Sequence, residues 1–594
     1  MKHITVLIIG MLLLVLGAQG AIRLLADHDN AGLLAWLPGG FAVWLACYAA
    51  AVVAGALLAG WGQQEGQAER ARTMTGRTPV AAATLALLAS VSVLVAGAVP
   101  AHADEISGRV VVTASGEVRG TDQHGIRRFR GISYAAPPVG ERRWQPPQPT
   151  SSWTGTRDAT KAGPACLQPE APDMPKGTPQ SEDCLTLEVT TPSRPGKGRP
   201  VMVWVPGGGF ITGSGSIYDP ARLVRAGDIV VVTVNYRLGV FGFFAHPELG
   251  EASNFGLQDQ VAALRWVRAN IAAFGGDPGK VTLAGASAGA MSTCTLMTSP
   301  AAQGLFHRAI VQSGSCRTSH PAGAMGEGMP AISSWHPIAT IQGAGQALAG
   351  QLACADVACL RRKSAGELLP YTARFPLLAY GTSLVPQEPA KVFAAGKQIA
   401  VPLLQGNTRD EHVEFTLAVY PQGITDRQYS ALLKTAFASA APQVERRYPA
   451  RRFPSPAAAT SRVFSDSGWI CPSWKSGREH ARKASTYTYV FADPSAPTPS
   501  GEPLPAHVRP ATAHGAETFY LFDFSDTPGL SAAQMRLADR TVGYWTRFVR
   551  TGDPNGAGST RWPRLGAADR ALELAPGAIR PINMKNAHHC GLWL

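Results

Sequence analysis

Ser287 lies in the run Gly285-Ala286-Ser287-Ala288-Gly289, between a strand-like stretch, Val281-Thr282-Leu283-Ala284, and a stretch that reads as helix. Glycine two residues either side of a serine permits a sharp strand-to-helix turn without a Cβ clash, and such a turn lifts the hydroxyl clear of a sheet. The chemistry on offer is nucleophilic attack by the serine oxygen. With 63 glycines in the chain, a chance G-x-S-x-G is expected roughly a few tenths of a time, so the motif needs partners. A serine hydroxyl is a poor nucleophile at neutral pH; it requires a base within hydrogen-bond reach and an acid to orient that base. For a serine presented by this kind of turn the chain order is serine, carboxylate, histidine. Glu411, in Gly406-Asn407-Thr408-Arg409-Asp410-Glu411, and His514, in Ala513-His514-Gly515-Ala516-Glu517, supply that order. Asp410 is the rival acid, and its ordinary alternative is a solvated loop charge.

The elements that must hold these residues alternate between two periods. Apolar strand-like runs occur at Val201 to Val205, Ile229 to Val234, Val281 to Leu283, Ala309 to Val311, Val401 to Leu404 and Tyr487 to Phe491. Between them lie helical patterns. Gln258 to Phe274 is the clearest, with Val261, Leu264, Val267 and Ile271 recurring every three or four residues, and it stops at the breaker Gly275-Gly276-Asp277-Pro278. Such alternation predicts an α/β protein with a mainly parallel central sheet wrapped by helices. Met325 to Arg374, Gly/Ala-rich and helical in pattern, and Pro442 to Pro456, rich in Pro and Arg, read as excursions over the sheet that could cap a substrate entrance. No internal repeat is present.

The chain has 594 residues, 45% apolar and 16% charged, with a formal net charge of +13. Lys and Arg are scattered rather than blocked, and no stacking-aromatic or finger motif accompanies them, which argues against nucleic acid as a partner. The first hundred residues differ in kind. Residues 4–25 and 32–61 are apolar stretches of spanning length, the second without a charged side chain, and read as two transmembrane helices. Residues 74–103 begin at Met74, include Arg77 and the apolar run Val80 to Pro100, and end in Ala101-His102-Ala103. That order resembles a secretory signal peptide, or else a third span. Residues 1–73 are then either a membrane module or sequence upstream of the real start. Lys2 and the Arg70 to Arg77 cluster fall on the cytoplasmic side, so everything after Asp104 is placed outside, released by cleavage near Ala103 or anchored. Nine cysteines fit this route: Cys47 lies in the second apolar run and eight follow Asp104, an even number for an oxidising compartment. Spacing alone leaves 105 pairings open, and no paired C-x-x-C motifs point to zinc. Neither cofactor nor metal is called for.

Six further segments, in this order, resemble the type-B carboxylesterase/lipase family, which also contains the cholinesterases and the adhesion protein neuroligin. They are Phe129-Arg130-Gly131-Ile132, Glu182-Asp183-Cys184-Leu185, Gly207-Gly208-Gly209-Phe210, Asn235-Tyr236-Arg237-Leu238-Gly239, Phe274-Gly275-Gly276-Asp277-Pro278 and Tyr544-Trp545-Thr546-Arg547-Phe548. The resemblance runs from about Ser107 to Leu594 and implies an α/β-hydrolase fold over residues 104–594. It implies Ser287 as nucleophile, Glu411 rather than Asp410 as orienting acid, His514 as general base, and the N–H groups of Gly208, Gly209 and Ala288 as oxyanion hole. It also implies the disulfides Cys166–Cys184, Cys354–Cys359 and Cys471–Cys590 and an Arg143–Glu182 ion pair. Cys294 and Cys316 are left either bonded to each other or as buried thiols.

Three departures bear on function. Ala286 stands where most of the family has Glu, which removes a carboxylate beside the histidine and predicts a slower enzyme that Ala286→Glu would accelerate. Pro206 precedes the glycines where His or an aromatic residue is common, so an intact hole with an altered wall is expected. The loop Leu167 to Asp183 has no Trp, Tyr or Phe, whereas cholinesterases hold a quaternary ammonium there by cation–π attraction; choline esters are therefore not the expected substrates. The function implied is hydrolysis of small carboxylic esters through an acyl-enzyme. The competing readings are an interfacial lipase and a catalytically weak binding or adhesion protein, the second of which sits poorly with a complete triad. Transfer of the acyl group to an alcohol other than water would use the same residues.

Overall fold

Along Arg199–Val205, alternate residues pack into different cores: Val201, Val203 and Val205 join one apolar cluster, Met202 and Trp204 another. Successive strand side chains point to opposite faces, so a strand buried this way has both faces covered. Val230–Val234 repeats the pattern, with Val230, Val232 and Val234 on the first face and Val231 on the second. This is a computed structural model; it describes residues 109–594 except 173, 499, 526–528 and 594, together with positions 16, 18, 21, 24, 41, 43–54, 56 and 57.

The chain divides into two units, Met1–His102 and Ala103–Leu594. In the first, residues 43–54 are helical. Among the described residues no helix is long and apolar enough to cross a membrane. The apolar runs 4–25 and 32–61 lie largely, and the signal-like segment 74–103 wholly, outside those residues.

The second unit is built on eleven strands: β1 (Thr121–Gln123), β2 (Ile126–Ser133), β3 (Thr186–Pro192), β4 (Arg199–Val205), β5 (Val230–Val234), β6 (Gly276–Ala286), β7 (Arg308–Gln312), β8 (Leu403–Thr408), β9 (Thr486–Phe491), β10 (Arg570–Ala575) and β11 (Ala578–Asn583). Their spatial order is β11-β10-β9-β8-β7-β6-β4-β5-β3-β2-β1. From β5 through β10 neighbouring strands run parallel, and both margins are antiparallel. The six sequence-predicted strands all lie in this parallel middle, whose seventh strand is β10. The margins escape a hydropathy reading because they carry charge: Arg128 and Arg130 of β2 pair with Asp219 and Glu188.

Helices that matter for the site are α1 (Phe255–Asn270), α2 (Ala288–Leu296), α3 (Ile338–Gln351), α4 (Val413–Val419), α5 (Asp426–Phe437), α6 (Pro456–Phe464), α7 (Cys471–His480) and α8 (Ala532–Thr551). The apolar stripe of α1, through Leu257, Val261, Leu264 and Val267, enters the first core. That of α8, through Leu537, Val542, Trp545 and Phe548, enters the second, and a Ser531/Gln534 capping box starts it. The excursion 325–374 is helical only from Ile338 onward; before it lies the short strand Trp335–Pro337, since proline at 337 fixes an extended entry to the helix. Between α6 and α7 the helix widens to a π-turn over Ser465–Ile470. Such insertions are frequent at functional sites.

All three expected disulfides are present, and Cys294 is bonded to Cys316 as well. Arg143 and Glu182 are paired at 2.5 Å.

Candidate active site

Ser287 ends β6 and begins α2 with φ 56° and ψ −121°. Positive φ is costly for a residue with a Cβ, so the turn persists only because its surroundings enforce it. The flanking glycines show how. A Cβ on Gly285 would lie 2.5 Å from the carbonyl carbon of Gly289, and one on Gly289 would lie 2.0 Å from the carbonyl oxygen of Val205. The Ser287 N–H donates to the Gln312 carbonyl of β7 at 2.9 Å, which pins the turn to the neighbouring strand.

The glycine run after β4 passes beside this serine. A Cβ on Gly207 would come within 3.2 Å of the Ser287 Cβ. Gly208 has φ 104° and Gly209 φ 62°. At Gly208 a Cβ would sit 2.2 Å from the Thr212 carbonyl oxygen, whereas at Gly209 it would meet nothing within 4 Å. Gly209 is thus required for its backbone angle and borders open space. Ala288 is the first residue of α2, whose opening N–H groups have no acceptor within the helix. Pro206 does not disturb this arrangement: its carbonyl accepts from the Tyr236 hydroxyl at 3.0 Å.

Glu411 follows β8, two strands from β6, and is fully buried. Its Oε1 accepts from the Asn407 amide at 2.9 Å and the Thr408 N–H at 2.8 Å, which leaves Oε2 for the His514 Nδ1–H at 2.5 Å. A carboxylate on Nδ1 selects the tautomer with a lone pair on Nε2. That nitrogen is buried and has no hydrogen-bond partner among the described residues. Burial alone would lower the His514 pKa; the charge and hydrogen bond of Glu411, with Glu517 and Glu414 beyond it, outweigh burial and hold it above its ordinary value.

Asp410 is occupied elsewhere. It pairs with Arg462 and Arg409 and accepts from the Thr512 N–H at 2.9 Å. Burial works against its charge, but the two guanidiniums still hold its carboxyl below the usual range. It therefore clasps the His514 loop to the Glu411 loop.

The structure adds residues that sequence reasoning did not single out. Glu517, three residues beyond His514 and fully buried, accepts from Ser313 Oγ and the Tyr489 hydroxyl, both at 2.9 Å. Burial and then Glu411 push its carboxyl up. A second carboxyl group thus stands near the imidazole even though Ala286 supplies none. Trp469, on the π-turn, packs against the His514 ring at 4.6 Å between centroids, and Phe415 of α4 meets that ring edge-on at 5.5 Å. Trp469 Nε1–H donates to His412 Nδ1 at 3.2 Å, and His412 Nε2–H donates to the Ala324 carbonyl at 2.9 Å. His412 is therefore a neutral strut, its pKa driven down to about 3 chiefly by burial. His320 packs at a tilt against Trp469, 4.9 Å between centroids, and is lowered to about 4, again by burial first and then by His514. The signal that could have found these residues was weak. They lie in four separate segments, and only the fold brings them together.

Ser287, Glu411 and His514 all follow the C-terminal ends of parallel strands β6, β8 and β9, the edge at which open α/β sheets place their sites. Among the described residues no cluster of His, Cys, Asp and Glu could hold a metal ion.

Residues 107–593 match the model of the "Carboxylesterase family". The chain is 34% identical to the cocaine esterase of Oryctolagus cuniculus, over 80% of this chain and 91% of that protein. It is 34% identical to the fumonisin B1 esterase of Sphingopyxis macrogoltabida over 76% of this chain and 84% of that one. With the para-nitrobenzyl esterase of Bacillus subtilis it shares 40% identity over 51% and 63% of the two chains. Among solved structures, a thermophilic PNB esterase superposes with a TM-score of 0.69 at 30% identity, covering 82% of this chain and all of that one.

Proposed function

Because the chain belongs to the carboxylesterase family, and so hydrolyses carboxylic esters, we propose that Ser287, Glu411 and His514 form its catalytic triad. The observation that carries the reading is the 2.5 Å contact of Glu411 with His514 Nδ1, which leaves a buried, unpartnered Nε2. Ser287 Oγ attacks the ester carbonyl carbon as its proton passes to Nε2. Charge developing on the carbonyl oxygen meets the N–H groups of Gly208, Gly209 and Ala288; removing one such donor typically costs about 100-fold to 1000-fold in turnover. The C–O bond then breaks and the alkoxide leaves as alcohol, taking the proton from His514. A water molecule, deprotonated by the same nitrogen, attacks the acyl-enzyme and releases the carboxylic acid.

The substrates in this reading are small carboxylic esters. Four disulfides fit an oxidising compartment, and we place the enzyme outside the cytoplasm, delivered by the segment 74–103 and either cleaved near Ala103 or held by the preceding apolar runs. A stopped-flow test on p-nitrophenyl butyrate distinguishes the mechanism. Wild-type enzyme should release nitrophenol with a burst or with a trappable acyl-enzyme, and Ser287→Ala should do neither; comparable turnover by Ser287→Ala would refute the assignment.

A further inference from the structure

An open cleft of about 550 Å³ lies against α7. Lys475, Arg478 and Arg482 line it, and the buried side chains of Trp474 and Leu565 complete its wall. The Leu565 N–H donates to the Thr486 carbonyl at 2.8 Å, which sets the cleft beside the start of β9. Ser287, Glu411 and His514 follow the other ends of their strands, so the cleft and the candidate triad occupy opposite edges of the sheet.

The acids at this cleft are already matched. Glu479 accepts two hydrogen bonds from Arg317, at 2.7 and 2.9 Å. Asp569, its side chain 4% exposed, pairs with Lys585 at 3.0 Å and less closely with Arg478 at 3.3 Å. Lys475 and Arg482 have no hydrogen bond or ion pair among the described residues. With Arg317 offsetting Glu479 and Lys585 offsetting Asp569, the charges of Lys475, Arg478 and Arg482 are left over.

A basic residue in the last turn of a helix complements the macrodipole, and that accounts for Arg478. It does not account for three cations in succession along one cleft, Lys475 and Arg478 on α7 and Arg482 in the turn that follows, each about 5 Å from the next along the axis. Like charges three and four residues apart repel one another, and an anion lying along them relieves that repulsion. Arg478 is also held ready: its guanidinium carbon lies 5.1 Å from the centroid of the Trp474 ring, and Lys585 Nζ lies 5.9 Å from the same ring. A guanidinium fixed by a ring and a carboxylate loses little freedom on binding, and its planar fork matches the oxygens of phosphate. The Trp474 indole N–H is buried and has no partner among the described residues, so this wall carries an unmatched donor as well as charge.

We propose that the cleft is a binding site for a soluble oligophosphate, two or three linked phosphate groups held along α7 by Lys475, Arg478 and Arg482. A single phosphate would reach only part of the row. The large apolar side chains of the wall are buried, which favours a soluble ligand over the headgroups of a lipid surface. The proposal does not depend on the triad, and failure of either leaves the other standing.

Calorimetry on the full chain tests it with inorganic tripolyphosphate, orthophosphate and citrate as probes. Wild-type protein should bind one tripolyphosphate, about tenfold or more tighter than either of the others. The double variant Lys475→Gln/Arg482→Gln should lose about tenfold or more of that affinity, with its near-ultraviolet circular dichroism unchanged. Arg446→Gln/Arg447→Gln removes the same charge from exposed positions elsewhere and should bind as the wild type does. Equal affinity in the wild type and Lys475→Gln/Arg482→Gln would overturn the proposal. So would equal losses in the two double variants, which would reduce the effect to the general positive charge of the chain, or equal affinity for orthophosphate or citrate. Binding to phosphatidylcholine vesicles containing phosphatidic acid, without binding to tripolyphosphate, would overturn it in favour of a lipid surface.

Discussion

Replacing Glu411 by Gln isolates what the carboxylate does for His514. The substitution keeps an oxygen for Asn407 and Thr408, which now bond Oε1, so the β8 loop should hold its shape. What changes lies on the other side, where Oε2 meets Nδ1 at 2.5 Å. An amide can present its NH2 to Nδ1, which moves the ring proton to Nε2 and leaves nothing to accept the serine proton. The corresponding neutralisation in serine proteases costs about 10^4-fold, and here kcat should fall by about 10^3-fold to 10^4-fold, or roughly 4 to 5.5 kcal/mol in activation free energy, with KM little altered. The pH profile provides a second readout. His514 must be neutral to act, and its pKa is held above 6.5, so wild-type kcat/KM should decline as pH falls through a value higher than an ordinary histidine's. Without the Glu411 charge, burial counts for more and the acidic limb should move to lower pH. Steady-state kinetics between pH 5 and about 9 would measure both. A kcat within tenfold of wild type, or an acidic limb that stays in place, would refute the orienting role.

His320 sets a window of acid sensitivity for the fold. Its folded pKa of about 4 lies below the usual 6.5, so its contribution to stability is complete above pH 6.5 and is lost as pH falls toward about 4, a change of about 3 kcal/mol; urea unfolding at pH 7 and 5 should show a shallower loss in His320→Phe, and an identical slope would contradict it. Ala286→Glu, which the family resemblance predicts to be faster, should instead lower the melting temperature without raising kcat. Ala286 is 4% exposed within the cluster that holds Trp204 and Phe519, an unpaired carboxylate is costly there, and Glu517 already stands near His514; a rise in turnover would show that Glu517 does not serve in place of the missing residue.

Much of the site was legible because its constraints are local. Positive φ at Ser287 needs small neighbours at 285 and 289, and the angles at 208 and 209 need glycine, so these requirements are written directly into the sequence. The parallel strands were legible for a similar reason, since burial on both faces demands unbroken apolar runs. Trp469, His412 and Phe415 were not, because nothing in the spacing of residues 412, 415, 469 and 514 links them until a π-turn and two loops close around the imidazole. The choice between Asp410 and Glu411 turns on direction. Adjacent acids look alike in sequence, and only the fold sends one to Arg462 and the other to His514.

Fluorophosphonate labelling followed by peptide mapping tests the central claim most directly, because the reagent reports an activated serine whatever the natural ester is. The label is expected on Ser287 in the wild-type protein and is expected to be lost in His514→Ala. Labelling of a different serine, or undiminished labelling of Ser287 in His514→Ala, would contradict the assignment of nucleophile and base.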